Sequence, residues 1–248
     1  MRAFSEANGS WRACTGKPAN MCYGHNKRCG IPHEYGSTGF GVYHALLIGA
    51  AYAHITLKKA TVAIEGYGNV GTFVAEYLAK DNVKVIAISD SKGVCHVTKG
   101  IDVQKLKETK EKAGTVTKYP GCKVLPTADI VGVNADILVT AAIPDLITEK
   151  NKNKVKAKLI VEGSNIPMSK EIEEWFHKKG VLVVPDFVAN AGGVISSYAE
   201  YKGFNPHKMF QIVEKKIKKN TELVLKEAKE KRITPRQAAM EVVMRRLK

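Results

Sequence analysis

The chain has 248 residues, 44% of them hydrophobic, with 39 Lys and Arg against 24 Asp and Glu and a formal charge of +15 at pH 7. That is enough apolar material for one large domain, or one domain with an appendage. No stretch stays apolar over the ~18 residues that a membrane span requires, and residues 1–11 lack the apolar core of a signal peptide, so a cytoplasmic protein without a membrane partner is expected. The five cysteines (Cys14, Cys22, Cys29, Cys95, Cys122) show no disulfide framework, and reduced thiols are expected. The lysines are scattered over segments that also carry an apolar helical stripe. They read as solvated helix faces, and with no aromatic platform among them nucleic acid is not an expected partner.

Residues 1–36 are rich in Gly, Asn, Cys, Pro and Arg without a sustained period, and read as loop or as the remnant of a longer segment. Cys22, His25, Cys29 and His33 can be written as four zinc ligands, but their spacing matches no common finger and no metal is expected. Gly16-Lys17 is not a triphosphate loop, because Pro18 stands where Ser or Thr is needed. From Gly39 to Ile55, Val42, Leu46, Gly49 and Ala53 mark a helix. Thr61–Ile64 predicts a strand, Asn69–Lys80 a helix, and Val83–Ser89 a strand buried on both faces. The alternation continues: helix at Asp102–Lys112, strand at Ile137–Ala141, a short helix at Leu146–Lys152, strand at Leu159–Val161, helix at Lys170–Lys178, strand at Val181–Val184. Beyond Ala189 the chain turns helical, with a long amphipathic helix at Lys208–Lys231 and a last one opened by Pro235. The pattern implies an α/β fold with a doubly wound, mostly parallel sheet of Rossmann type and C-terminal helices.

Gly66-Tyr67-Gly68-Asn69-Val70-Gly71 is the sharpest motif. Three glycines at this spacing are weak alone, but these follow a short strand and open a helix, and Asp90 ends the next strand at about the expected distance of ~20 residues. Gly66 permits the turn, Gly68 lets a diphosphate approach the backbone, and Gly71 lets the helix pack on the sheet. Unpaired amides at the helix start, around Asn69 and Val70, complete an anion cradle. Asp90 can accept from the hydroxyls of an adenosine ribose, which favours NAD. Ser91 and Lys92 follow directly and can hold a 2′-phosphate if Asp90 turns away. NADP or NAD is therefore the expected cofactor, with the balance leaning to NADP.

Several ordered segments carry a family resemblance. Asp186-Phe187-Val188-Ala189-Asn190-Ala191-Gly192-Gly193-Val194 resembles a signature of the glutamate, leucine, phenylalanine and valine dehydrogenases. So do Val161-Glu162-Gly163-Ser164-Asn165, the block from Ile64 to Gly71, Thr15-Gly16-Lys17-Pro18 and Ser37-Thr38-Gly39-Phe40-Gly41-Val42. The resemblance implies that Thr38 and Asn190 contact the nicotinamide carboxamide. Asn165 would lie near its ribose, and Ala141 and Ala142 would pass under the cofactor. Ser197 resembles the serine that takes the side-chain carboxylate in glutamate-type members, with Val194 in the same pocket. The implied reaction is reversible oxidative deamination of L-glutamate to 2-oxoglutarate and ammonia. A leucine- or phenylalanine-type enzyme and a non-catalytic NAD(P)-binding module are the alternatives.

In that family a lysine polarises the substrate carbonyl and an aspartate handles protons, both in an N-terminal domain whose motifs do not occur here. Lys17 belongs to a segment downstream of them. No catalytic residue is therefore assigned, and the chain alone is not expected to turn over glutamate. The implied organisation is 1–36 as a remnant of the link to a missing substrate domain, 37–204 as the NAD(P)-binding domain and 205–248 as C-terminal helices. The family is homo-oligomeric, which leaves the assembly of this chain open.

Overall fold

The computed structural model describes residues 1–23 and 28–247. In chain order the elements are α1 (Arg2–Ala7), β1 (Cys22–Tyr23), β2 (Arg28–Cys29), α2 (Ser37–Tyr52), β3 (Thr61–Glu65), α3 (Asn69–Lys80), β4 (Lys84–Asp90), β5 (Gly93–His96), α4 (Val103–Ala113), β6 (Lys123–Leu125), β7 (Ile137–Thr140), β8 (Leu159–Glu162), α5 (Lys170–Lys178), β9 (Leu182–Val184), α6 (Asp186–Ala189), α7 (Gly192–Tyr201), α8 (Pro206–Lys231) and α9 (Pro235–Leu247). Seven strands form one sheet in the order β6-β5-β4-β3-β7-β8-β9. The five from β4 to β9 run parallel, and β5 and β6 add an antiparallel edge. This is the expected doubly wound, mostly parallel fold.

The sequence explains the layering. Strands β3, β7 and β8 are buried almost throughout, as their unbroken apolar runs require of parallel strands covered on both faces. One buried cluster joins α2, α3, α8 and α9 to the sheet through residues such as Leu46, Leu78, Val139 and Ile217. A second packs α5 on the other face through Phe176, Ile160 and Leu138. Helix α8 begins at Pro206 behind an Asn205 cap that accepts from the Lys208 N–H.

Four expectations change. The short helix at Leu146–Lys152 does not form. Thr148 N–H donates to Asn151 Oδ1 at 2.7 Å and Asn151 Nδ2 donates to the Leu146 carbonyl at 2.9 Å, so side chains take the bonds a helix would use. Strands β5 and β6 have no counterpart in the sequence reading, being only four and three residues long. Residues 1–36 are not plain loop, since they contain α1 and the β1–β2 ladder. Within that ladder Cys22 lies opposite Cys29 and the two form a disulfide, so these thiols are not reduced. Two of the four conceivable zinc ligands are thereby withdrawn, and His25 lies outside the described residues. Among the described residues no helix is long and apolar enough to cross a membrane.

Candidate functional site

The C-terminal ends of β3, β4 and β7 open onto a cleft of about 650 Å³. From β3 the chain runs outward to β4 on one side and later returns to β7 on the other. Open parallel sheets place their ligands at such a switch point. The lining contains Gly66, Gly68, Asp90, Ser91, Ala141 and Ala142 from the sequence reading. It also contains Glu65 and Lys110, which that reading missed.

The turn between β3 and α3 is built by its glycines. Gly66 has φ +94°, and its N–H donates to Ser89 Oγ at 3.0 Å. A Cβ on Gly71 would strike the Gly66 carbonyl oxygen, whereas a Cβ on Gly68 would meet nothing within 4 Å. The first contact lets α3 pack tightly under the turn, and the second leaves open space over it. No side chain caps α3, so its first amides, from Asn69 and Val70 onward, lack partners within the helix. The Asn69 side chain is used elsewhere, donating to the His33 carbonyl at 2.8 Å.

Two carboxylates frame this turn. Glu65 accepts the N–H groups of Ala141 and Ala142 at 2.9 Å and of Ile143 at 3.3 Å, tying the segment after β7 to the end of β3. Burial raises its pKa, and the three amides partly counter that rise. Asp90 does not present the free carboxylate expected of it. Oδ2 takes Lys110 Nζ at 2.6 Å and the Val116 N–H at 2.9 Å. Oδ1 takes the Lys92 N–H at 2.9 Å and the Thr115 hydroxyl at 3.3 Å. Burial alone would raise its pKa, but the Lys110 ammonium and the two amides more than offset this and hold it below the ordinary range. Ser91 lines the cleft and Lys92 does not; the Lys92 ammonium lies beside Gly114. Among the described residues Lys110 is the cation lining the cleft, contributed by α4 twenty residues beyond Asp90, where no local pattern could announce it.

The remaining predicted residues lie outside the cleft lining, on α2, on α7 and on the segments after β8 and α6. Asn190 Nδ2 donates to Asn165 Oδ1 at 2.8 Å. Thr38, at the start of α2, meets the start of α7: a Cβ on Gly193 would come within 2.7 Å of its Oγ1. Val70 faces Gly163, just ahead of Asn165 in the chain. Val194 and Ser197 lie one turn apart on α7, and Val194 is 75% exposed. Lys17 is fully buried, with its Nζ 2.8 Å from Glu200 Oε1 and 4.0 Å from the centre of the Trp11 ring. Glu200 also accepts the Gly16 and Lys17 N–H groups. Lys17 is thus a structural ion pair that fastens the N-terminal segment under α7.

Fold and cleft together define a doubly wound α/β domain with a glycine turn at its switch point. The profile of the Glutamate/Leucine/Phenylalanine/Valine dehydrogenase family matches residues 29–248, and the chain belongs to that family. The glutamate dehydrogenase of Aeropyrum pernix is 38% identical over 217 residues, 85% of this chain and 50% of that protein. The NADP-specific glutamate dehydrogenase of Saccharolobus shibatae is 38% identical over 179 residues, 69% of this chain and 42% of that protein. NAD-specific glutamate dehydrogenases also occur among the relatives. Among solved structures, the hetero-hexameric glutamate dehydrogenase of Thermus thermophilus, in its Leu-bound form, superposes with a TM-score of 0.84 at 26% identity, over 100% of this chain and 59% of that one. The chain spans about half the length of the curated relatives it matches.

Proposed function

We propose that this chain is the cofactor-binding part of an NAD(P)-dependent glutamate dehydrogenase. The observation that carries the reading is the uncapped start of α3, set at the sheet's switch point beneath a glycine turn with open space over Gly68. A diphosphate fits there, because bare amides and the helix dipole favour an anion and no side chain stands in its way. Asp90, Ser91 and Lys110 would surround the adenosine ribose, with Gly66, Gly68, Asn69, Val70 and Gly71 at the diphosphate. Ala141 and Ala142 would lie under the dinucleotide, and Thr38, Asn165 and Asn190 at the nicotinamide. Bound in this way, a nicotinamide dinucleotide supplies the hydride acceptor or donor.

The protein's own contribution is to bind and orient. The Asn165–Asn190 pair offers both donor and acceptor capacity, which a carboxamide needs. Ser197 and Val194, on the exposed face of α7, are the proposed contacts for a glutamate or 2-oxoglutarate side chain, a hydroxyl donor suiting a carboxylate better than it suits an aliphatic chain. Lys17, locked to Glu200, is not available to polarise a carbonyl, and no catalytic residue is assigned within the chain. The preference for NADP is supported by the engagement of Asp90 with four donors. A carboxylate so occupied has little capacity left for a ribose hydroxyl, while Lys110 and Ser91 remain at the cleft to meet a phosphate.

Titration with NADPH and NADH, followed by fluorescence, tests the reading. Saturable binding of at least one is expected, and binding of neither would overturn it. Glutamate-dependent cofactor reduction by the protein together with a substrate domain tests the substrate. Reduction with leucine but not glutamate would move the assignment to the leucine type.

A further inference from the structure

We infer that Arg236, on the C-terminal helix α9, is a positioning residue that holds Asn165 and Asn190 in register from behind. The inference rests on the dinucleotide reading above and adds a residue to it from outside the cleft.

Three carboxylates converge on this one guanidinium. Arg236 Nε donates to Glu173 Oε1 at 2.6 Å. Its Nη2 donates to Glu162 Oε2 at 3.1 Å and to Asp186 Oδ1 at 2.9 Å. The face of the guanidinium lies 5.2 Å from the Phe187 ring centre. Glu162, Glu173 and Asp186 are buried, and three carboxylates this close cannot share a dry site without a cation among them.

Asp186 passes the constraint on to the residues of interest. Its Oδ2 accepts the Ile166 N–H at 2.9 Å. Its own N–H donates to Glu162 Oε2 at 2.9 Å, and its carbonyl accepts the Asn190 N–H at 2.7 Å. Ile166 has φ +49°, an unfavourable conformation for a β-branched residue that persists only when its surroundings over-determine it. Here the surroundings are Asp186 on its N–H and the Asp145 N–H, which donates to its carbonyl at 3.0 Å. Asn165 precedes this strained residue directly. If Arg236 loses its charge, the Asp186 carboxylate loses its cation and turns toward water, Ile166 relaxes, and Asn165 moves out of reach of Asn190. Among the described residues no hydrogen bond or ion pair joins the glycine turn or Asp90 to this cluster.

The test separates the two halves of the dinucleotide. Wild-type protein, Arg236→Met and Arg236→Lys are titrated with NADPH, NADH and, as an adenosine-half probe, ADP. For Arg236→Met the dinucleotides should bind about tenfold more weakly while ADP holds within about twofold. Arg236→Lys, which keeps the charge but not the fork, should recover part of the loss. Because that variant keeps the buried cation, it carries the test even if Arg236→Met fails to fold: a loss of about threefold for dinucleotide alone is expected of it. Equal losses for ADP and dinucleotide, or no loss at all in either variant, would overturn the positioning role. Failure of the wild-type protein to bind any of the three probes would instead remove the dinucleotide reading, and the positioning role with it.

Discussion

The two sides of the cleft are held by different physics. Around Gly66–Gly71 the geometry is set by backbone: a glycine at positive φ, a helix start without a cap, and amides gathered by Glu65. Around Asn165 and Asn190 it is set by charge, in a buried cluster whose members come from β8, α5, α6 and α9. A backbone-built site tolerates side-chain changes but not a Cβ in the wrong place. A charge-built site tolerates changes in shape but not an uncompensated ion. Substitutions on the two sides should therefore fail in different ways.

The largest effect on binding is expected on the backbone side. Gly71→Ala puts a methyl group into the Gly66 carbonyl, so the turn or the helix must shift, at a cost of about 3 kcal/mol or more. Gly68→Ala, with φ −93° and open space around it, should unfold like the wild type while losing most dinucleotide affinity, because the methyl occupies the approach to the amides. Denaturant unfolding and cofactor titration on both variants check this; equal stability of the two would break the contrast.

Outside the charged cluster, Lys17→Met leaves the Glu200 carboxylate buried without its cation, which should cost about 3–5 kcal/mol in urea unfolding. Lys17→Met combined with Glu200→Gln should recover part of that loss, since no bare charge then remains. The cluster around Arg236 supplies a pH dependence. Burial raises the Glu173 pKa to about 7 in the folded protein, against the pull of Arg236. Its contribution to stability is therefore full below about pH 4.5, falls as pH rises, and is gone above about 7. Buried His44, lowered to about 4 by desolvation, acts in the opposite sense, losing stability as pH falls from about 6.5. Burial raises Glu162 and Glu65 in the same sense as Glu173, so the wild-type profile sums several groups. Glu173→Gln should flatten part of the decline toward pH 7, by about 2 kcal/mol, and leave the acid limb unchanged, measured as unfolding free energy at pH 5 and pH 8.

The same division decides what could be read from the sequence. The parallel strands were legible because burial on both faces writes a continuous apolar run, and the turn because its three glycines answer local needs of φ and contact. Asn69–Lys80 matches the observed helix residue for residue. Strands β5 and β6 were hidden because four and three residues carry no period. The Leu146–Lys152 segment misled because its apolar residues face the core from a loop fastened by Thr148 and Asn151. Lys110 and Arg236 were missed for a different reason: their partners lie 20 to 74 residues away, and only the folded sheet brings them together. Glu65, Glu162 and Asp186 did leave a trace, as carboxylates at the ends of apolar strands or just beyond them, where an unpaired charge would be costly.

The smallest expected effect bears on cofactor choice, where the two kinds of construction meet. Asp90 sits on the backbone-built side, yet its state is set by an ion pair with Lys110, whose side chain is about one-third exposed. Asp90 is only 7% exposed but keeps the Val116 and Lys92 amides and the Thr115 hydroxyl, so Lys110→Ala should lower stability by about 1–2 kcal/mol. Its effect on ligand choice has a definite sign. Removing the ammonium deletes the cation nearest a 2′-phosphate and frees Asp90 Oδ2 to accept from a ribose hydroxyl. Affinity for NADPH should fall and that for NADH should rise, moving their ratio about five- to tenfold toward NADH, as expected for one charge-assisted hydrogen bond. Asp90→Asn should move the ratio the other way, by removing the carboxylate that repels a phosphate. If both variants shift it in the same direction, Lys110 serves only to hold the loop of Val116 and the phosphate must be met elsewhere.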